Sequence, residues 1–222
     1  MSTLKFKANP KQKIAFKALF DNIHTDIGYW GGAGGGKSYV GVSWVWMMCN
    51  KYPGVRYAFC RQELKRLKQT TLNSFFKFIA DYEIPEDQAG KYNAQDGVIK
   101  FTNGSEILLI DLSYQPSDPL YTRLGSLELT WAFIDESAEV DEQCITILST
   151  RIWRQKNDDY GITPKLLQGF NPDKWHVYRT FYKPYKEGTL PAYRMFIPAL
   201  ATDNEYIAKS YIAQLEKSDE VT

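Results

Sequence analysis

The chain has 222 residues, 44% of them hydrophobic and 15% aromatic, which suits one sizeable α/β domain with a packed core. Its 27 Lys and Arg side chains nearly balance 26 Asp and Glu side chains, so a protein that coats nucleic acid through an overall basic charge is excluded. No apolar run approaches the roughly 20 residues of a membrane-spanning helix, and no signal peptide is visible. We therefore expect a soluble, intracellular protein.

A capped helix opens the chain. Asn9 followed by Pro10 is a typical helix start, with Asn9 as the N-cap and Pro10 at the first helical position. Residues Asn103 and Gly104 are a strong signal for a hairpin turn. Apolar periodicity predicts a strand at 26–30, a buried helix at 39–48, a strand at 55–60, a long helix at 61–81, and hairpin strands at 98–101 and 106–110.

The second half continues the alternation of strands and helices. Residues 114–126, rich in turn formers, predict an exposed functional loop. The elements predicted after it are a strand at 130–134, a helix at 142–152 capped by Asp141, a strand at 165–170, a short helix from Lys174, a strand at 193–197 and a helix at 204–217. This alternation indicates a mostly parallel sheet with helices on both faces.

Residues 31–38 fit the P-loop pattern G-x-x-x-x-G-K-[ST]. A loop of small residues lets backbone N–H groups surround phosphate oxygens, Lys37 reaches the β- and γ-phosphates, and Ser38 can bind Mg²⁺. The predicted strand before the loop and the helix after it favour this interpretation over a flexible linker. The phosphate-binding residues are therefore predicted to be Gly31, Gly32, Ala33, Gly34, Gly35, Gly36, Lys37 and Ser38.

An acidic pair ends the apolar strand about 100 residues later. Asp135 is placed to hold Mg²⁺ together with Ser38, and Glu136 to activate the water that attacks the γ-phosphate. The alternative is that the pair only caps the next helix. The string that begins at Asn50 has Pro53 where a guanine-reading aspartate would stand, so GTP is disfavoured and ATP is expected.

A third polar element follows the next strand. Asn171, before Pro172, ends the strand that comes after the acidic pair. A polar side chain at this position faces the γ-phosphate in many P-loop ATPases and can exchange hydrogen bonds on hydrolysis, which links chemistry to movement. Taken alone, Asn-Pro is only a turn signal. Its place in the order of strands makes Asn171 a candidate catalytic residue.

Together these stretches resemble the ATPase domain of the large terminase subunit of tailed bacteriophages, and the resemblance covers nearly the whole chain. The matching stretches are 9–12, the P-loop, 133–139, 169–172 with Trp175, His176 and Phe181, 203–207 and 211–215. The resemblance implies a RecA-like fold and an ATP-hydrolysing, Mg²⁺-dependent motor that drives double-stranded DNA into a phage prohead. It also implies that Gln12 contacts adenine, that portal protein and the small terminase subunit are partners, and that the protein acts as a ring in the host cytoplasm.

The chain departs from the family pattern in its P-loop, and the family's nuclease domain does not follow within residues 1–222. Ala33 stands where terminases often carry a P-loop arginine. Arg123 lies in the stretch where the family has a proposed trans-acting arginine, although it could equally be a solvated loop residue. Full-length terminases continue into a nuclease domain with clustered carboxylates. We therefore expect residues 1–222 to form a single P-loop ATPase domain that does not cleave DNA.

The sequence identifies DNA-contacting residues least well. Basic and amide side chains begin the predicted long helix and form either a phosphate-tracking patch or a solvated helix face. They are Arg61, Gln62, Lys65, Arg66, Lys68 and Gln69. Alternative functions are another RecA-like, nucleic-acid-dependent ATPase of helicase type, a small-molecule kinase, or a nucleotide-binding regulatory module that does not hydrolyse. Glu136 argues against the last two.

Overall fold

A computed structural model describes residues 7–32, 35–200 and 203–204. The strands are β1 (Asp26–Trp30), β2 (Arg56–Arg61), β3 (Lys91–Asn93), β4 (Val98–Lys100), β5 (Glu106–Asp111), β6 (Trp131–Asp135), β7 (Leu166–Phe170) and β8 (Arg194–Pro198). The α-helices are α1 (Pro10–Phe20), α2 (Lys37–Lys51), α3 (Leu64–Leu67), α4 (Asn73–Asp81), α5 (Glu86–Ala89), α6 (Glu142–Ser149), α7 (Asn157–Tyr160) and α8 (Lys183–Glu187). Within the described residues, no helix is long and apolar enough to cross a membrane.

The strands form one mixed sheet in the order β3-β4-β5-β2-β6-β7-β1-β8. Every neighbouring pair from β5 to β8 is parallel, whereas β3 and β4 join the edge antiparallel. This arrangement confirms the predicted mostly parallel sheet and the hairpin around Gly104, whose positive φ of 85° suits the turn. Because parallel strands share a direction, β1, β6 and β7 end at the same edge of the sheet.

Helices pack on both faces of the sheet, as predicted. An apolar core lies on each face of the sheet, and successive residues of β6 contribute to them in turn. Trp131 and Phe133 pack with α1, α2 and α4, whereas Ala132 and Ile134 pack with α6. A third apolar cluster around Phe181 covers the second face at β1, β7 and β8. Burial on both faces explains why the central strands read as continuous apolar runs rather than alternating ones.

The structure corrects the predicted elements at several places. Arg61 ends β2 and is not helical, and the helix that follows starts at Leu64 and contains a π-helical turn at Lys68–Leu72. Helix α6 ends at Ser149 rather than at residue 152. The last predicted helix, 204–217, lies outside the described residues apart from its first position. Strand β3 and the single-turn helices α5 and α7 were not predicted, because such short elements carry too little periodicity.

A buried lysine ties the end of α1 to the sheet. Lys165, just before β7, is only 2% exposed. Its Nζ donates to the backbone oxygens of Ala18 (3.0 Å), Asp21 (2.6 Å) and His24, and to the Asp21 carboxylate (3.0 Å). Carbonyl groups at the end of a helix have no hydrogen-bond donor within the helix. Here the Lys165 ammonium is their donor.

We expect Lys165→Met to destabilise the protein by about 3 kcal/mol, because it leaves the Ala18 and Asp21 carbonyl groups without this donor and removes the ion pair with Asp21. Urea unfolding measures the change. The matched control is Lys77→Met, which removes an exposed lysine paired with Asp81 at 2.7 Å and should cost less than about 0.5 kcal/mol. Equal losses in the two variants would contradict the role given to Lys165.

Candidate nucleotide-binding site

The predicted P-loop connects β1 to α2 at the edge of the sheet where the parallel strands end. The Gly31 N–H donates to the Phe170 oxygen at 3.1 Å, which joins the loop to β7. A Cβ at Gly31 would lie 1.8 Å from the Ala199 oxygen, so no larger residue fits there. Gly36, with a φ of 80°, precedes the first residue of α2. Ala33 and Gly34 lie outside the described residues; the other loop residues lead into a helix N-terminus suited to phosphate.

Lys37 is the central contact of the site. It is 7% exposed, and its Nζ donates to the Gly31 oxygen and, at 2.6 Å, to Asn171 Oδ1. The same nitrogen lies 3.8 Å from Glu136 Oε1. Burial lowers the pKa of Lys37, whereas Glu136 and Asp135 raise it. The structure thus brings the P-loop, the acidic pair and Asn171 together around one ammonium group.

The two predicted metal ligands face each other. Ser38 Oγ lies 3.3 Å from Asp135 Oδ1, and Asp135 is 2% exposed. A hydroxyl and a carboxylate oxygen are the kind of ligands that Mg²⁺ takes from proteins, with nucleotide phosphates and water completing its shell. The residues present therefore fit Mg²⁺, with Ser38 and Asp135 as the groups that would hold it.

Glu136 has an uncommon backbone conformation. Its φ of 54° and ψ of 53° lie in the left-handed region, which a residue other than glycine rarely adopts. One fifth of its side chain is exposed. Burial raises the pKa of Glu136, and Asp135 raises it further, while Lys37 lowers it. A carboxylate with a raised pKa is a better proton acceptor, as a general base requires.

Gln12 lies beside the P-loop, where the resemblance implied an adenine contact. The backbone N–H of Asn9 donates to Gln12 Oε1 (3.0 Å), and the N–H of Gln12 donates to Asn9 Oδ1 (2.8 Å), so the pair forms a capping box. Gln12 Nε2 donates to the Gly36 oxygen at 3.4 Å. Gln12 borders a cavity of about 360 Å³ with Tyr39 and Tyr82. The capping box fixes the amide so that Nε2 faces the loop.

Arg123 is held within its own loop. Its guanidinium donates to Asp118 Oδ2 at 2.9 Å and to the Ser113 oxygen at 2.5 Å, and it lies 5.3 Å from the centre of the Tyr121 ring. A quarter of the side chain is exposed. None of these contacts reaches Lys37 in the same chain. The role of Arg123 in a neighbouring site stays a prediction.

The basic and amide residues expected to form either a phosphate-tracking patch or a solvated helix face do not all lie on one helix. Arg61 is buried at the end of β2, and its Nε lies 3.6 Å from Glu139. Arg66 is 3.5 Å from both Glu63 and Glu139. The exposed residues of the set are Lys65, Arg66 and Gln69. The prediction that Arg61 begins the long helix is wrong, because β2 extends to this residue.

The sequence reasoning missed one residue of the site. Thr71 is fully buried, and its Oγ1 donates to Asp135 Oδ2 at 2.6 Å. A threonine in a polar stretch of a predicted helix carries no signal of its own. The contact exists because the π-helical turn and β6 meet in the fold.

Comparison with known proteins identifies the family. The model of the phage terminase large subunit family matches residues 24–221. The large terminase of a thermophilic bacteriophage is 14% identical with a TM-score of 0.71, over 95% of this chain and 50% of that one. Its complex with ADP gives 14% identity and a TM-score of 0.72, over 94% and 50%. The ATPase domain of a Thermus phage large terminase gives 12% identity and a TM-score of 0.56, over 88% and 82%.

No curated protein sequence matches the chain. The chain spans about half the length of the first two structures. At these identities the structures establish the fold, which is the predicted RecA-like P-loop fold, and the family model establishes the relationship. The chain belongs to the phage terminase large subunit family.

Proposed function

We propose that this chain is the ATP-hydrolysing motor domain that drives double-stranded DNA into a phage prohead. The observation that carries the proposal is the Lys37 ammonium, which contacts Gly31 and Asn171 and lies 3.8 Å from Glu136. A phosphate that binds there lies beside the Lys37 ammonium, the candidate base Glu136, and Asn171, which can exchange one hydrogen-bond partner for another. Family membership supports the proposal. The partners would be duplex DNA, portal protein, the small terminase subunit and further copies of this chain in a ring, in the host cytoplasm.

The geometry suggests the order of events. The γ-phosphate of ATP competes with Asn171 for Lys37, because one ammonium has only three donors. Mg²⁺, when bound at Ser38 and Asp135, would neutralise phosphate charge. Glu136 accepts the proton of the attacking water. As phosphate leaves, Lys37 returns to Asn171, and the segment after β7 senses the change through this hydrogen bond.

We expect Glu136→Gln to reduce ATP hydrolysis at least about 100-fold while ATP binding is retained, because the amide cannot accept the proton. Phosphate release, measured with and without duplex DNA, tests both the base and the proposed function. In the parent, activity should fall as the pH decreases through the raised pKa of Glu136. Glu128→Gln, at an exposed position, is the control. If Glu136→Gln hydrolysed ATP at the rate of the parent protein, the assignment of Glu136 as the base would be refuted. If the parent protein itself had no ATPase activity, the proposed function would be refuted.

We expect Asn171→Ala to uncouple hydrolysis from DNA. The variant loses the 2.6 Å bond to Lys37 but keeps Glu136, so basal ATP hydrolysis should fall far less than in Glu136→Gln, while stimulation by duplex DNA disappears. Steady-state phosphate release across a DNA titration measures both values. Asn93→Ala, in the exposed hairpin, is the control. Normal DNA stimulation of Asn171→Ala would contradict the coupling role.

We expect ATPase activity to rise more than linearly with protein concentration, because Ala33 supplies no P-loop arginine and an arginine finger contributes roughly 10³–10⁵ in rate. Arg123→Ala should abolish this rise without weakening nucleotide binding, whereas the exposed Arg154→Ala should not.

Mixing Arg123→Ala with Glu136→Ala should restore part of the activity, since a mixed interface can pair an intact Glu136 with an intact Arg123. Linear concentration dependence, together with full activity of Arg123→Ala, would rule out this role. Thermal unfolding of each variant shows whether loss of the Asp118 contact alters the loop itself.

A further inference from the structure

The helix between β2 and β3 contains an unusual turn. Residues Leu64–Leu67 and Asn73–Asp81 are α-helical, but Lys68–Leu72 between them form a π-helical turn. Such a turn accommodates an extra residue within a helix and occurs frequently at functional sites. It rotates the side chains that follow relative to a regular helix. Two adjacent threonines, Thr70 and Thr71, lie in it.

The hydroxyl of Thr71 has an uncommon partner for a helical threonine. Thr70 and Thr146 each donate to a backbone oxygen four residues earlier, at 2.8 and 2.9 Å, which is the usual choice in helices. Thr71 donates instead to Asp135 Oδ2 at 2.6 Å, across 64 residues of sequence. Buried hydroxyl groups need an acceptor, but a local carbonyl would satisfy that need. This hydroxyl is directed at the carboxylate of the site.

The turn is held in place by Arg61. The Arg61 guanidinium donates through Nη1 to Thr70 Oγ1 at 2.8 Å, and its Nε lies 3.6 Å from Glu139 Oε2. Arg61 ends β2, which pairs with β6 immediately before Asp135. The adjacent hydroxyls of Thr70 and Thr71 thus connect the turn to two neighbouring strand ends. This fixes the distance between the turn and Asp135.

The two oxygens of Asp135 have separate partners. Oδ2 accepts the Thr71 hydroxyl, whereas Oδ1 is 3.3 Å from the Ser38 hydroxyl. Thr71 therefore fixes the rotation of the carboxylate so that Oδ1 faces α2. Groups that orient a metal ligand in this way typically change metal affinity or activity 10- to 100-fold when they are removed.

We propose that Thr71 is a positioning residue that holds the Asp135 carboxylate in the orientation required for Mg²⁺–nucleotide binding. The inference rests on the proposed function, because it presumes that this site binds Mg²⁺ with the nucleotide. Thr71 acts through Asp135 and touches neither phosphate nor the reacting water in this assignment.

Binding of a fluorescent ADP analogue during a MgCl₂ titration, and separately in EDTA, tests the proposal without any turnover. Thr71→Val is nearly isosteric but lacks the hydroxyl, so the Mg²⁺ concentration at half-saturation should rise roughly 10- to 100-fold. Nucleotide affinity in EDTA should not change. Thr71→Ser, which keeps the hydroxyl, should behave like the parent. Thr146→Val, which removes a hydroxyl bonded within α6, is the matched control.

A double-mutant cycle locates the effect. If Thr71 acts through the carboxylate, Thr71→Val should add little to Asp135→Asn, so the two changes should be strongly non-additive. An unchanged Mg²⁺ titration in Thr71→Val, or full additivity with Asp135→Asn, would overturn the proposal. Thr71→Ala replaces Thr71→Val if the latter does not fold. If Thr71→Val and Thr71→Ala both failed to fold while Thr71→Ser folded, the Thr71 hydroxyl would be needed for stability of the fold. That result would also overturn the proposal. A parent without Mg²⁺-dependent binding would instead refute the proposed function.

Discussion

The site is organised around a buried cation. Lys37 must keep its charge where little water reaches it, and burial lowers its pKa. The Gly31 and Asn171 oxygens and the nearby Glu136 carboxylate offset that cost. Each of these groups belongs to a different segment of the chain. A single ammonium therefore couples the phosphate-binding loop, the candidate base and the end of β7, and a change in one of its contacts affects the others.

The parallel sheet makes this convergence possible. Strands β6, β7 and β1 are adjacent and parallel, and Asp135 is in register with Gly169. Their carboxyl ends therefore place the acidic pair, Asn171 and the P-loop side by side. Helix α2 must also lie close to the sheet: a Cβ at Gly41 would come within 2.4 Å of the Phe133 ring, so glycine permits the approach that brings Ser38 to Asp135.

Support for the site comes from segments outside the recognisable motifs. The π-helical turn reaches Asp135 through Thr71, and Arg61 secures the turn through Thr70. On the other side, buried His176 lies within hydrogen-bonding distance of the Ser137 oxygen, 3.1 Å away, next to the strained Glu136. The acidic pair is thus held between the helix that follows β2 and the segment that follows Asn171. Thr71 contacts Asp135 itself, and His176 contacts Ser137, the residue that follows Glu136.

The sequence alone identified the central strands, the capped start of α1, the hairpin and the P-loop, because each depends on neighbours within a few residues. It also placed Asp135, Glu136 and Asn171 correctly at strand ends, since buried strands read as apolar runs. The sequence did not predict the short elements, which carry too little periodicity. It did not predict the π-helical turn either, because one extra residue hardly changes the periodicity of a helix.

Contacts between distant residues were decided only by the tertiary structure. Lys37 and Asn171 are 134 residues apart, and Thr71 and Asp135 are 64 apart. Burial of Arg61 likewise follows from the length of β2 and its place beside β6. A single sequence specifies which groups can donate, accept or carry charge. Which of them meet depends on strand order and helix packing, and these follow from burying apolar surface across the whole domain.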